Sequence, residues 1–123
     1  MLTEGISHTS TLTVEAVHTA AEMGSGDMSV LATPAMVALM ENAAMKCVAP
    51  FLEEGQTTVG AHIASSHLAP TAPGETVCAT AILVKAEGRR LSFRVEARQG
   101  DKLIGEGEHT RYIVDRVKFL SRL

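Results

Sequence analysis

The chain has 123 residues, of which 46% are hydrophobic, 20% are charged and 3% are aromatic, and its formal net charge is −3. This length fits one domain with a genuine core, and the absence of a basic cluster argues against nucleic-acid binding, which depends on lysine and arginine neutralising phosphates. No segment reaches the roughly 18 apolar residues of a membrane span, so we expect no membrane partner.

The cellular compartment is predicted from the amino terminus and the cysteines. Residues 1–8 have neither the basic start nor the apolar stretch of a signal peptide. Cys47 and Cys78 lack CxxC spacing, which favours reduced, buried thiols over a disulfide. We therefore expect a cytoplasmic protein.

The first predicted elements are a strand and a loop. Residues 10–18 alternate apolar and polar side chains with β-branched content, the pattern of a half-buried strand. Residues 19–32 contain Gly24-Ser25-Gly26-Asp27 and indicate a flexible loop or lid.

A helix is predicted next. Thr33 before Pro34 is typical of a helix start, with threonine as the N-cap and proline as the first helical residue. The apolar run that follows predicts a helix to about Val48, ending before Pro50.

Four strands are predicted after the helix, over residues 56–68, 76–85, 91–99 and 102–114, separated by turn-like segments. One helix and several strands joined by tight turns indicate an α+β domain in which the helix packs against an antiparallel sheet. An open sheet of this size leaves edges and apolar surface exposed, so we expect a homodimer or a dimer of dimers.

Glu41 is the most informative residue, because it interrupts the apolar helix with a carboxylate. Its helical neighbours at three and four residues are Val37, Ala38, Ala44 and Met45, so no cation lies where a local ion pair would form. Burying an unpaired charge is costly, which favours a chemical role for Glu41. The alternative is an acid satisfied by Asn42, a backbone amide or a partner subunit.

His67 is the second candidate. It ends the first strand after the helix, where a side chain can project towards a loop-lined pocket. His62 lies five residues earlier, and the two-residue period of a strand sends the two rings to opposite faces. No Cys/His cluster has metal-ligand spacing, so we predict no metal site.

Thr33, Gly60 and Arg111 complete the candidate set. Thr33 has a local explanation as an N-cap, and it lies about 12 Å along the helix axis from Glu41, so the two would act on one substrate only from different subunits of a dimer. Gly60 inside a strand indicates either a bulge or close approach by a ligand or the helix. Arg111 in the last strand is suited to an anionic ligand, although exposed strand arginines usually have no specific role.

Taken in order, several segments resemble the hotdog-fold acyl-CoA thioesterases, most closely the fluoroacetyl-CoA thioesterase-like group. The resemblance extends from about Thr11 to Leu123. The segments that carry it are residues 32–41 (ATPAMVALME), 60–62 (GAH), 66–67 (SH), 73–77 (PGETV) and 106–111 (EGEHTR).

The resemblance implies a fold, an activity and a site. The fold is a sheet wrapped around one long central helix, and the activity is hydrolysis of a small acyl-CoA thioester between two subunits, with no metal or other cofactor. The implied catalytic residues are Thr33, Glu41 and His67, and the implied substrate contacts are Gly60 and Arg111. Glu41 would act as nucleophile or as general base.

One departure concerns the lid. The fluoroacetyl-selective enzyme has an aromatic lid before its catalytic threonine, whereas residues 20–32 contain no Phe, Tyr or Trp. A smaller lid formed by Met23, Met28, Val30 and Leu31 would admit other short acyl groups. Two alternatives stay open, namely a hotdog acyl-CoA hydratase and a non-catalytic protein that binds acyl-CoA or a small acid.

Overall fold

A five-stranded antiparallel sheet and one long helix form the two layers of the computed structural model, which describes residues 2–123. The strands are β1 (Ser7–Thr13), β2 (Gln56–His67), β3 (Thr76–Glu87), β4 (Arg90–Gln99) and β5 (Lys102–Asp115), in the order β1-β3-β4-β5-β2. The helices are α1 (Ala20–Met23), α2 (Thr33–Val48) and α3 (Arg116–Ser121). The predicted α+β class is therefore confirmed, and β1 and β2 form the edges of the sheet.

Helix α2 packs on the half of the sheet formed by β1 and β3, with much less contact to β2. Its buried residues are mostly Met and Ala, including Met36, Met40 and Ala43, and they meet small residues of β3 such as Ala79 and Ala81. Small side chains on both layers let the helix lie close to the sheet at the density of a protein interior. The face of the β2 and β5 half is covered less by the helix of the same protomer.

The predicted role of Thr33 as an N-cap is wrong. Helix α2 begins at Thr33, the residue before it is Ala32, and no side chain caps this end. Pro34 lies in the first turn, where its missing N–H costs no helical hydrogen bond. The predicted end is confirmed, since α2 stops at Val48 and a short 3₁₀ turn, Ala49–Phe51, contains Pro50.

The predicted strands after the helix are confirmed to within two residues at each end. The first strand is not, because β1 spans Ser7–Thr13 rather than residues 10–18, and Ala16–His18 forms a 3₁₀ turn. Val14 ends the pairing with β3 by exchanging backbone hydrogen bonds with Gly74 and Glu75, and the chain then turns. Alternating polarity alone does not reveal such a corner.

Residues 19–32 form a loop that contains the one-turn helix α1. Thr19 caps the one-turn helix α1 and pairs with Leu31 in an isolated β-bridge. Of the side chains predicted to form a lid, Leu31 is buried, while Met23 and Met28 are 46% and 67% exposed in the protomer.

The two cysteines are free thiols, as the sequence predicted. Cys47 is buried, and burial raises the pKa of its thiol, whereas Cys78 is only half-buried. No helix within residues 2–123 has the length and apolar character needed to span a bilayer.

The contact between β2 and β5 generates the first testable prediction. A Cβ atom added at Gly107 would overlap the carbonyl oxygen of Ala64 and lie 2.7 Å from the Cα of Ser65. Because backbone atoms cannot move aside as a flexible side chain can, we expect Gly107→Ala to lower the free energy of unfolding by about 1–3 kcal/mol. Urea denaturation measures this change, and the exposed neighbour Glu106→Ala is the control. Equal stability of the two variants would contradict the close packing.

Candidate active site

The first part of the site joins the end of β2 to the start of α2. The Thr33 hydroxyl and His67 Nδ1 are hydrogen-bonded at 2.7 Å. They line an open cleft of about 340 Å³ whose other walls include Val30, Leu31, Leu68 and Pro70. The Thr33 hydroxyl therefore binds a histidine instead of capping the helix. The structure brings together two of the three predicted catalytic residues.

His67 also has an unused ring nitrogen. Its Nε2 is buried and makes no hydrogen bond to any part of residues 2–123. Burial lowers the pKa of His67, and the nearby Ala69 backbone offsets part of that shift. A neutral imidazole held by its Nδ1, with Nε2 unoccupied, is suited to exchange a hydrogen bond or a proton with a ligand in the cleft.

The second part of the site surrounds Glu41. This carboxylate is half-buried in an open cleft of about 430 Å³ that is also lined by Thr58, Gly60 and Arg111. Within residues 2–123 it makes no hydrogen bond or ion pair. Asn42 does not satisfy it, since the Asn42 Oδ1 accepts a hydrogen bond from Ser10 instead.

Both predicted explanations for Gly60, a bulge and close approach by the helix, apply. The pairing of β2 with β5 shifts register between Gly60 and His62, which is a bulge. A Cβ at Gly60 would lie 3.0 Å from Glu41 Oε2 and 3.4 Å from the nearest terminal nitrogen of Arg111. The lack of a side chain at this position therefore leaves room beside the carboxylate.

Arg111 is buried, with 7% of its surface exposed, so the expectation for an exposed strand arginine does not apply. Its Nε donates to Thr58 Oγ1 at 2.8 Å and one Nη donates to the Thr58 carbonyl at 3.0 Å. Burial lowers the pKa of Arg111, and the negative charge of Glu41 opposes that shift. The site thus contains a buried cation that faces a carboxylate without forming an ion pair with it.

The candidate residues chosen from the sequence did not include His109. The ring is 2% exposed, lies 3.3 Å from an Arg111 Nη through its Nε2, and packs near Phe93. Residues 109 and 111 are two apart on β5, so the two-residue period of a strand could have placed both side chains on one face.

Within one protomer the two parts of the site are separate. Gly60 and His67 are seven residues apart on β2, a distance of about 23 Å along a strand. His62 lies on the exposed face of β2 and His67 on the half-buried face, as predicted. No cluster of His, Cys, Asp and Glu within residues 2–123 has the arrangement of a metal site.

Comparison with known proteins identifies the family. The family model for the fluoroacetyl-CoA-specific thioesterase FlK matches residues 14–117. The fluoroacetyl-CoA thioesterase of Streptantibioticus cattleyicolor is 46% identical over 94 residues, which are 76% of this chain and 68% of that protein.

Solved structures agree with this result. A single-residue variant of FlK in complex with fluoroacetate and CoA superimposes with a TM-score of 0.90 at 38% identity, over 96% of this chain and 99% of that one. A thioesterase superfamily member from Thermus thermophilus gives a TM-score of 0.91 at 34% identity, over 99% and 90% of the two chains. The chain has the hotdog fold and belongs to the FlK family of thioester hydrolases.

Proposed function

We propose that this protein hydrolyses a small acyl-CoA thioester to the free acid and CoA. The observation that carries the proposal is the Thr33–His67 hydrogen bond in a cleft with mostly apolar walls, where the Nε2 of the His67 ring has no partner among residues 2–123. The S. cattleyicolor relative is named a fluoroacetyl-CoA thioesterase, and the FlK variant was solved with fluoroacetate and CoA. Both support an acyl-CoA as the substrate class.

The proposed chemistry adds one water molecule across the thioester. The C–S bond breaks, the acyl carbon gains an oxygen, and the CoA sulfur leaves with a proton. Glu41 acts either as the nucleophile that first forms an anhydride or as the base that takes a proton from water. His67 Nε2 polarises the thioester carbonyl or protonates the leaving thiolate, and Thr33 fixes the orientation of the ring.

Arg111 and Gly60 are the proposed substrate contacts. The guanidinium of Arg111 is buried and held by Thr58, so it presents a fixed positive charge beside Glu41. Such a charge stabilises negative charge that develops on the substrate as the thioester reacts. Gly60 leaves the space that the acyl group needs next to the carboxylate.

The proposed substrates have short acyl chains, with or without an α-substituent. Val30 and Leu31 line the cleft of Thr33 and His67, and no aromatic side chain from residues 20–32 closes it. We therefore propose no strict selectivity for a fluoroacetyl group. We also propose the cytoplasm as the compartment, because Cys47 and Cys78 stay free thiols in a reducing environment.

We further propose that each complete site takes residues from two protomers. Strand β2 is a 12-residue edge strand, and an uncovered edge of that length is suited to pair with a second copy. The neighbouring face is covered little by α2 of the same protomer, which leaves surface for a partner to bury.

If a two-fold axis relates the two protomers, the register of the β2–β2 pairing determines which residues meet across the interface. If two copies of β2 pair antiparallel with Ile63 of one protomer opposite Ala64 of the other, Gly60 stands opposite the partner's His67. Glu41, Gly60 and Arg111 of one protomer then face the partner's Thr33 and the partner's His67. This register removes the separation of about 23 Å that prevents one protomer from completing the site.

Removing the carboxylate or the imidazole tests the proposed chemistry. We expect Glu41→Gln and His67→Ala each to lower kcat/KM for short acyl-CoA esters by about a hundredfold or more. Thiol release measures the rate, with Glu53→Gln and His8→Ala as controls. Wild-type rates in both folded variants would reject the catalytic assignment. CoA-ester binding by a wild type that releases no thiol would favour a binding protein.

Mixing the two inactive variants tests whether the site is shared. A heterodimer of Glu41→Gln with His67→Ala has one site with both changes and one site with neither. After unfolding and refolding an equal mixture, random pairing should restore about a quarter of the wild-type activity. If Glu41 and His67 act within one protomer, every site keeps one change and no activity returns.

The pH profile tests the state of His67. Because burial lowers its pKa, the ring stays neutral at a pH where an ordinary histidine, with a pKa of about 6.5, is already half protonated. We expect kcat/KM to hold its plateau through pH 6.5 and to fall only at lower pH. Stopped-assay measurements of released thiol between pH 5 and 8 give this profile. An acid limb with its midpoint above about 6.5 would contradict a neutral His67.

A further inference from the structure

The buried guanidinium of Arg111 is oriented by neutral acceptors. Thr58 accepts from Nε through its hydroxyl and from one Nη through its carbonyl, and His109 Nε2 accepts from the other Nη at 3.3 Å. Together these bonds fix the guanidinium plane. One N–H on each terminal nitrogen has no partner among residues 2–123, and one of those nitrogens lies 3.4 Å from the Cβ position of Gly60.

The state of His109 follows from its two contacts. Arginine stays protonated and can only donate, so His109 Nε2 must carry a lone pair. The other nitrogen, Nδ1, lies 2.7 Å from the His62 carbonyl, which can only accept. The ring is therefore neutral, with its proton on Nδ1, and both nitrogens are satisfied at 2% exposure.

We propose that His109 is a positioning residue for the proposed hydrolysis, because its Nε2 binds the terminal nitrogen of Arg111 that lies 3.4 Å from the Cβ position of Gly60, in the cleft shared with Glu41. This inference rests on the proposed function. His109 is 2% exposed, and its proposed effect on the reaction is exerted through Arg111. The His62 carbonyl, on strand β2, accepts a hydrogen bond from His109 Nδ1. This contact fixes the tautomer in which His109 Nε2 can accept a hydrogen bond.

The surroundings keep His109 neutral. Burial lowers its pKa, the positive charge of Arg111 acts in the same direction, and the His62 carbonyl and Glu41 oppose the shift. The other titratable or charged residues that line a cleft together with His109 are His62, Arg90, Arg94 and Glu108. A second proton would turn Nε2 into a donor facing another donor, so the contact with Arg111 exists only while His109 is neutral.

A double-mutant cycle separates positioning from a merely structural role. We expect His109→Gln to lower kcat/KM by about tenfold, because glutamine cannot reach both Arg111 and the His62 carbonyl from this position. Arg111→Ala should cost at least as much. If His109 acts through Arg111, His109→Gln adds no further loss in the Arg111→Ala background. His8→Gln, the same change on β1, is the matched control.

Several results would overturn the proposal. One is an unchanged kcat/KM in His109→Gln. Another is a double variant whose loss of kcat/KM is the product of the two single losses, provided that each variant unfolds at the same temperature as the wild type. Should the wild type hydrolyse no acyl-CoA at all, the proposed function fails, and the tautomer of His109 then tests the contact separately. Nitrogen-15 NMR of the wild-type histidines should show His109 protonated at Nδ1 alone near pH 7. A proton on Nε2 would rule out the contact with Arg111, and this measurement does not depend on any variant folding.

Discussion

The close packing of α2 on the β1 and β3 half of the sheet is the constraint on which the other features depend. Alanine and methionine on the helix meet alanine and valine on the strands, so the two layers approach without bulky side chains between them. This packing places the first turn of the helix beside the end of β2 and its middle beside Gly60. The same packing leaves the face of β2 and β5 less covered, and that face contains the polar groups of the site.

The polar groups form two clusters of different character. Thr33 and His67 make a neutral pair next to an apolar cleft, whereas Glu41 and Arg111 place opposite charges near each other without direct contact. Burying a guanidinium without a carboxylate partner is costly, and neutral acceptors reduce that cost only in part. The two charges therefore do not form a structural ion pair, which supports the proposed role of this cluster in stabilising charge on a substrate.

His109 lies on β5, the same strand as Arg111, and contacts its guanidinium. Its ring is 2% exposed, and its two nitrogens contact the His62 carbonyl and a terminal nitrogen of Arg111. The bulge at Gly60 belongs to the same arrangement, because it changes the local register of β2 next to Glu41. Contacts of this kind fix the geometry of a polar group through the residues that surround it.

Periodicity and turn residues determined the α+β class, the length of α2 and four of the five strands, because these depend on local pattern. The unpaired acid at position 41 and the histidine at the end of β2 were also visible in the sequence. Only the tertiary structure decided that Thr33 binds His67 instead of capping its helix, that β1 ends early at a corner, and that His109 holds a buried Arg111. These outcomes depend on contacts between residues far apart in the chain, and a local sequence pattern does not predict such contacts.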